Sequence, residues 1–349
     1  MVANIINIAK FKLLLNGSEL SNELLSAVEG VTLEDEINLP AMFTIKFNTV
    51  DFFKGDWRGV DLKAFKVGDI IKVFMGIDST AEMMTGEITS LDYTFGDSSY
   101  VEIRGYDRLH RLRFGTMRRS FKDMKDSDIA SKVASEVSLS PNVDDTGTIH
   151  PYIFQNNQTN YEFLIERANR IGYEMLVDDK TFIFRKSQED KTPEITLQYR
   201  IDLQSFSVQI KTLTEGSKIE VRGWNVKDKE EITSTASKGS ERSKMVGKES
   251  GFEMSEKAFT ASAVTIVDDL IIDSKDAENI AKAKYNLLLK EFLTGEGVCG
   301  GNPKIRAGKT IEIKGLGERL SGVYYIASTI HSIDQGAYTT TFKVRRTGV

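Results

Sequence analysis

"EIRGYDRLHRLRFG", residues 102–115, starts as an alternating strand and ends as a basic cluster. Arg104, Arg108, Arg111 and Arg113 fall within ten residues with only Asp107 among them, and His110, one of three histidines in the chain, sits in their midst. Such a stretch can hold phosphates, take part in a reaction, or join two pieces of a fold. Its neighbours on either side are what separate these readings.

Upstream, residues 9–107 read as short strands. "FKLLLNGSEL" (11–20) is an apolar run broken by Asn16-Gly17, a dipeptide suited to tight hairpin turns. "MFTIKFNTV" (42–50) alternates, with Phe43, Ile45 and Phe47 on one face and Thr44, Lys46 and Asn48 on the other. "FKVGDIIKVFMG" (65–76), "MTGEITSLDYTF" (84–95) and "SSYVEIRGY" (98–106) continue the pattern between glycine and aspartate turns. Many short strands at regular turn spacing point to an antiparallel sandwich or barrel.

Downstream the period changes. Ile129, Val133 and Val137 recur every four residues in "DSDIASKVASEVSL" (126–139), which predicts an amphipathic helix capped by Asp126 or Ser127. "TNYEFLIERANRIG" (159–172) predicts a second, opened by Thr159 or Asn160 and closed by Gly172. "YEMLVDDKTFIFRK" (173–186) reads as two strands about an Asp-Asp-Lys turn. Strands return from 191, in "EITLQYR", "QSFSVQIK" and "SKIEVRGW". Residues 225–258 are polar and short of large apolar side chains, and read as an exposed loop, a solvated hairpin, or a linker-like arm free to reach a neighbouring subunit. "SKDAENIAKAKYNLLLKEF" (274–292) is the clearest helix, with Ser274 as cap and Gly295 beyond its end.

The two strand-rich parts echo each other. "VGDIIKVFMG", "MTGEITSLDYTF" and "SSYVEIRG" run in the same order as "AGKTIEIKGLG", "LSGVYYIASTIHSI" and "GAYTTTFKVR". Gly68 and Gly308 open the first strand of each set, and Gly86 and Gly322 the second. The expected architecture is mainly β with α+β character: a first β-barrel domain over 1–108, a small α/β domain over 109–190, and a second, related β-barrel domain over 191–349. The second carries the polar insertion at about 225–258 and a helix at about 274–294. Two similar barrels per chain in a three-fold ring would give six similar surfaces.

Composition narrows function. Hydrophobic residues at 40% and charged residues at 28% suit a folded, water-facing chain, and 46 basic against 51 acidic residues give a net charge of −5. A nucleic-acid coat leans the other way, so a nucleic-acid reading must rest on Arg104, Arg108, Arg111, Arg113, Arg118, Arg119 and Lys122 with Tyr106, Phe114 and Phe121 between them. The competing reading pairs those arginines with acidic neighbours and packs their stems on apolar surface. No signal-peptide pattern and no membrane-length apolar run is seen, and one cysteine, Cys299, permits no intrachain disulfide; synthesis in a reducing cytoplasm fits. No zinc-ligand spacing, dinucleotide fingerprint or phosphate loop appears. No catalytic residue, cofactor, metal, small-molecule substrate or membrane insertion is expected.

"RGYDRLHRL" (104–112) after a strand, then "IFQNNQTNYEFLIERANRIGYEMLVDDKTFIF" (153–184), then "AGKTIEIKG", "SGVYYIASTIHSI" and "YTTTFKVRR" near the end, together resemble the late control protein D family, the baseplate hubs of contractile phage tails. The N-terminal hub part of VgrG spike proteins is similar. The resemblance spans about residues 10 to 346. It implies a homotrimeric torus that adapts a six-fold tail tube protein ring to a separate three-fold spike protein, beside other baseplate subunits, in a virion tail or injection particle. It places Gly105, Tyr106, Asp107, Leu109 and His110 where the first barrel passes into the α/β unit, with Gly105 freeing the chain from the strand and Asp107 holding nearby amides or an arginine. The rivals are a baseplate cell-wall hydrolase, and a nucleic-acid binder using residues 104–122.

Overall fold

The computed structural model describes residues 9–51, 56–57, 63–96, 99–225, 229–267 and 270–349. The N-terminal part is built from β1 (Lys10–Leu15), β2 (Ser18–Glu19), a short α1 (Asn22–Ala27), β3 (Val28–Glu36), β4 (Met42–Asn48), the short β5 (Val50–Asp51) and β6 (Asp56–Trp57), β7 (Ile70–Gly76), β8 (Thr80–Thr94) and β9 (Tyr100–Tyr106). Asn16 and Gly17, at φ 51° and 87°, make the two-residue turn between β1 and β2. Alternation works as expected in β4: Phe43, Ile45 and Phe47 are fully buried, with Val31 and Leu33 of β3 beside them. Burial of each such side chain stabilises the fold by roughly 1.5–3 kcal/mol.

A two-turn 3-10 helix (Arg108–Arg113) leads to the α/β unit: β10 (Met117–Lys125), α2 (Asp126–Glu136), β11 (Ser140–Val143), β12 (Ile149–Gln158), α3 (Asn160–Ile171), β13 (Tyr173–Asp178) and β14 (Thr181–Lys186). The order β11-β14-β13 makes one sheet, and β10 with β12 a separate ribbon. Thr159 caps α3 by accepting from the Glu162 amide, while the Glu162 carboxylate accepts from the Thr159 amide at 2.8 Å. Gly172, at φ 69°, ends the helix.

The C-terminal part holds β15 (Thr196–Gln198), β16 (Leu203–Ile210), β17 (Lys218–Asn225), β18 (Glu230–Ala236), α4 (Gly251–Ala258), β19 (Ala263–Ile266), α5 (Ser274–Leu289), β20 (Leu293–Gly300), β21 (Thr310–Lys314), a one-turn α6 (Gly317–Leu320), β22 (Gly322–Asp334) and β23 (Ala337–Arg346). The cap of α5 is Asp273 rather than Ser274, and Gly295 lies inside β20.

Two expectations need adjustment. Of the readings of the polar segment 225–258, the hairpin holds at its start and the unattached arm does not hold over the described residues. β18 pairs antiparallel with β17, Phe252 and Met245 are buried, Glu253 binds Lys238 and Lys244 at 2.7 and 2.8 Å, and the Lys248 amide donates to Val349. A few apolar anchors suffice where the rest of the segment lies on the chain's own C-terminus.

The second correction concerns the barrels. The described strands form no closed barrel. They run β16-β20-β23-β22-β3-β4-β9-β8-β7-β1-β2 in one sheet, with β21 on β22 and β15 on β21. Each half nevertheless repeats the other: β1-β7-β8-β9-β4-β3 has the same chain order as β15-β21-β22-β23-β20-β16. β1 meets β7 antiparallel and β15 meets β21 parallel, which is where the halves differ in direction. The halves stay open because β3, instead of closing its own half, pairs with β22 of the other.

The repeat extends to single hydrogen bonds. Gly68 donates to Ile88 at 2.8 Å and Ile88 to Asp69 at 2.9 Å; Gly308 donates to Ile326 at 2.9 Å and Ile326 to Lys309 at 2.8 Å. One residue later both β8 and β22 carry a bulge, and β3 and β16 carry matching bulges after Val28 and Leu203. Gly68 and Gly308 are therefore equivalent, and their φ of 91° and 77° explains the choice of residue. Gly86 and Gly322 are not equivalent: Gly86 lies mid-strand opposite Ile71, a position held by Tyr324 in the other half.

Candidate functional site

The segment 102–115 sits where the first half of the sheet meets the α/β unit. Gly105 does not release the chain from its strand. It is paired within β9 to Phe43 and Ile88, and a Cβ there would lie 2.1 Å from the Glu87 carbonyl and 2.4 Å from the Phe43 ring. Glycine is needed because the Phe43 ring occupies that space.

Asp107 follows the strand and caps the 3-10 helix. Its carboxylate accepts from the Leu109 amide at 2.9 Å and from the Ala41 amide at 3.0 Å, so it ties the helix to the start of β4. It is buried, and burial pushes its pKa up to about 7, against the pull of those two amides. Leu109 is fully buried in the α/β core. His110 lies 2.6 Å by Nδ1 from the Asp107 carbonyl, with its ring between Tyr106 and Phe114. Gly105, Tyr106, Asp107, Leu109 and His110 are thus adjacent in space as well as in sequence.

The arginines have acidic or aromatic partners inside the chain. Glu87 of β8 binds Arg111 in a two-pronged pair, and Arg108 Nε and His110 Nε2 lie 3.5 and 3.6 Å away. Burial acts to raise the Glu87 pKa, and Arg111, with His110 and Arg108, outweighs it and holds the carboxylate below its ordinary value. Arg108 also pairs with Asp179 in the β13–β14 turn. Arg104 bonds Glu102 at 2.6 Å, Arg113 stacks on Tyr161, and Arg119 binds Glu136, Gln155 and Asn160. Arg104, Arg108, Arg111 and Arg119 are thus held by carboxylates, which weakens the support for phosphate binding by this patch.

Sequence reasoning passed over a second clamp, between the α/β unit and the second half of the sheet. Glu174 of β13 accepts from the Tyr325 hydroxyl at 2.6 Å and from Arg345 at 3.2 Å, and Arg345 also donates to Glu189. Lys290 lies 3.9 Å from Glu189, its pKa lowered by burial and by Arg345. Arg170 of α3 grips Asp276 of α5 with two bonds of 2.7 Å. Most of these residues lie in ordinary strand or helix patterns, with Glu189 and Lys290 in the turns after β14 and α5, and only the partner, over a hundred positions away in most cases, reveals the role.

The remaining histidines are structural in their surroundings. His150 and Arg167 both contact buried Asp126. His331 is enclosed by Tyr338, Thr340 and the Ile305 carbonyl. Cys299 is buried, which pushes its thiol up to about 12, far from a nucleophile's range. Among the described residues no group of three His, Cys, Asp or Glu side chains is placed to hold a metal ion, and no helix is long and apolar enough to cross a membrane.

Solved structures share this fold at low identity. A 43 kDa prophage tail protein from Shewanella oneidensis superposes with a TM-score of 0.73 at 13% identity, over 97% of this chain and 98% of that one. A tail protein from Neisseria meningitidis gives 0.70 at 13% identity, over 97% and 96%. A component of the type VI secretion system from E. coli gives 0.59 at 11% identity, over 91% and 73%. No curated protein matches the chain in sequence. The family model that does match, described as the Alg8 N-terminal domain, spans residues 6–335, which takes in the first half of the sheet, the α/β unit and the second half up to the end of β22. A fold found in tail proteins is carried here by a chain that belongs to the Alg8 N-terminal domain family.

Proposed function

We propose that the chain is a structural hub of a contractile tail or related injection particle, three copies forming a ring that adapts a six-fold tube to a three-fold spike. The observation that carries this reading is the internal repeat: two six-stranded units of one strand order, with matching bulges and matching turn bonds. Three such chains present six similar surfaces while keeping three-fold symmetry elsewhere. The fold shared with tail proteins supports the same reading. On it the chain transmits force and symmetry and performs no covalent chemistry, its partners are the tube ring, a separate spike and other baseplate subunits, and segment 102–115 is the joint that holds the α/β unit to the first half.

Electron-microscope class averages of the purified chain test it. Rings with six peripheral lobes and three-fold symmetry are expected; isolated particles without rings, together with clearing of purified peptidoglycan, would replace the hub by a cell-wall hydrolase.

A further inference from the structure

Between α5 and the α/β unit lies a cavity of about 430 Å³, lined also by the turn after β14, by Arg242 and by the end of β23. That is the size of a small-molecule site. One polar stripe of α5 runs along it, with Lys275, Asn279 and Asn286 at helical spacing and Lys290 just past the last turn.

Charge in this cavity is uneven. Two buried carboxylates reach it, Glu174 and Glu189, and Arg345 binds both. The third, the exposed Asp145, is taken by Lys125 at 2.9 Å. Lys290 is left with Glu189 at 3.9 Å, and the half-buried Arg242 guanidinium with the Ser187 carbonyl at 3.0 Å. Among the described residues no carboxylate forms an ion pair with Arg242, or with the exposed Lys186 and Lys275 that also line the cavity. Burial and the guanidinium groups of Arg345 and Arg242 together lower the Lys290 pKa. The Nε–H of Arg345 is buried without an acceptor, a further demand left unmet. A cation held where its surroundings disfavour charge costs stability, and such groups concentrate at sites that bind a ligand of the opposite sign.

We propose that this cavity binds a small molecule carrying phosphate or carboxylate groups with at least two negative charges, held by Lys290 and Arg242 and attracted by Lys186 and Lys275. An oxyanion there gives Lys290 and Arg242 the close charged partner that each lacks. Every residue involved belongs to one copy of the chain, so the site stands apart from the ring reading.

Calorimetric titration of the full chain with inorganic pyrophosphate, and separately with citrate, tests the proposal. Saturable binding of at least one probe, tighter than about 1 mM, is expected. Pyrophosphate alone would point to a phosphate ester, and citrate alone to a polycarboxylate. Lys290→Met and Arg242→Met are each expected to weaken binding at least about tenfold. Lys12→Met, on β1, is expected to leave it unchanged. Chemical unfolding of unliganded Lys290→Met is the second readout, with stability equal to or above that of the unaltered chain expected, because the charge it removes is disfavoured there. Failure of both probes to bind the unaltered chain overturns the site. Binding that survives both substitutions places the anion elsewhere and overturns it too. A clear loss of stability in Lys290→Met would make Lys290 a partner of Glu189 within the fold and overturn its assignment to a ligand.

Discussion

Glu87 and Tyr325 hold the same register position in the two halves: each stands two residues before the bulged residue, and the strands paired with them correspond residue for residue. Both reach the α/β unit, by opposite means. Glu87 offers a carboxylate to arginines of the 3-10 helix, whereas Tyr325 offers a hydroxyl to a carboxylate of β13. The backbone plan of the halves has stayed fixed while the chemistry at matching sites has diverged. The core shows the same exchange in volume: Phe43 faces Gly105 and Ile45 faces Ile103 in one half, while Gly295 faces Val344 and Gly297 faces Phe342 in the other. A ladder needs its summed cross-strand volume, not a given residue on a given strand.

The largest expected effect lies in the deeper of the two fastenings. Glu174 is almost wholly enclosed, and Glu174→Ala leaves Arg345 and Tyr325 short of a partner, at a cost of ~3–5 kcal/mol in chemical unfolding. Glu87→Ala is expected to give the smaller loss, since Glu87 and its two-pronged partner Arg111 are nearer solvent than Glu174 and Arg345; equal losses would mean that the two fastenings do not differ as described.

His331, at the internal junction, comes next. Burial and the nearby Arg306 push its pKa down to about 4 from 6.5, so the unfolded chain takes up a proton in that window before the folded chain does. Its contribution is complete above pH 6.5 and is lost as pH falls towards 4, by ~3 kcal/mol. His331→Gln is expected to flatten the pH dependence of the unfolding midpoint between those limits.

Gly105→Ala should cost ~1–3 kcal/mol through overpacking against Phe43 and the Glu87 carbonyl. Adding Phe43→Leu is expected to recover part of the loss, by moving the first half towards the volume pattern of the second. The smallest effect is expected at Arg104, whose bonds to Glu102 and Asp92 lie at the surface. Arg104→Ala should leave the unfolding midpoint within error, and retained stability there would set the exposed arginines apart from the enclosed ones.

Local features were readable because they follow from period and turn chemistry. Thr159 and Gly172 bracket α3, Asn16-Gly17 turns the first hairpin, and Gly68 and Gly308 mark equivalent turns. Pairing choices were not readable: nothing in the alternation of β3 says that its outer edge goes to β22, three hundred residues on, and so the expected barrels stand open. Gly86 misled because a mid-strand glycine seated against a ring, here that of Phe43, looks like a turn glycine until the facing strand is known, whereas Gly322 does open its strand. At the joint, Asp107 was marked by its place between a strand and a basic run, but Glu174, Glu189 and Arg345 carry no local sign of the clamp they form.

Absolute mass in solution, measured by light scattering on the untagged chain over a wide concentration range, bears most directly on the hub ring. The expected result is one species of three times the 39.1 kDa chain mass that persists on dilution. A species of 39.1 kDa at every concentration would contradict it.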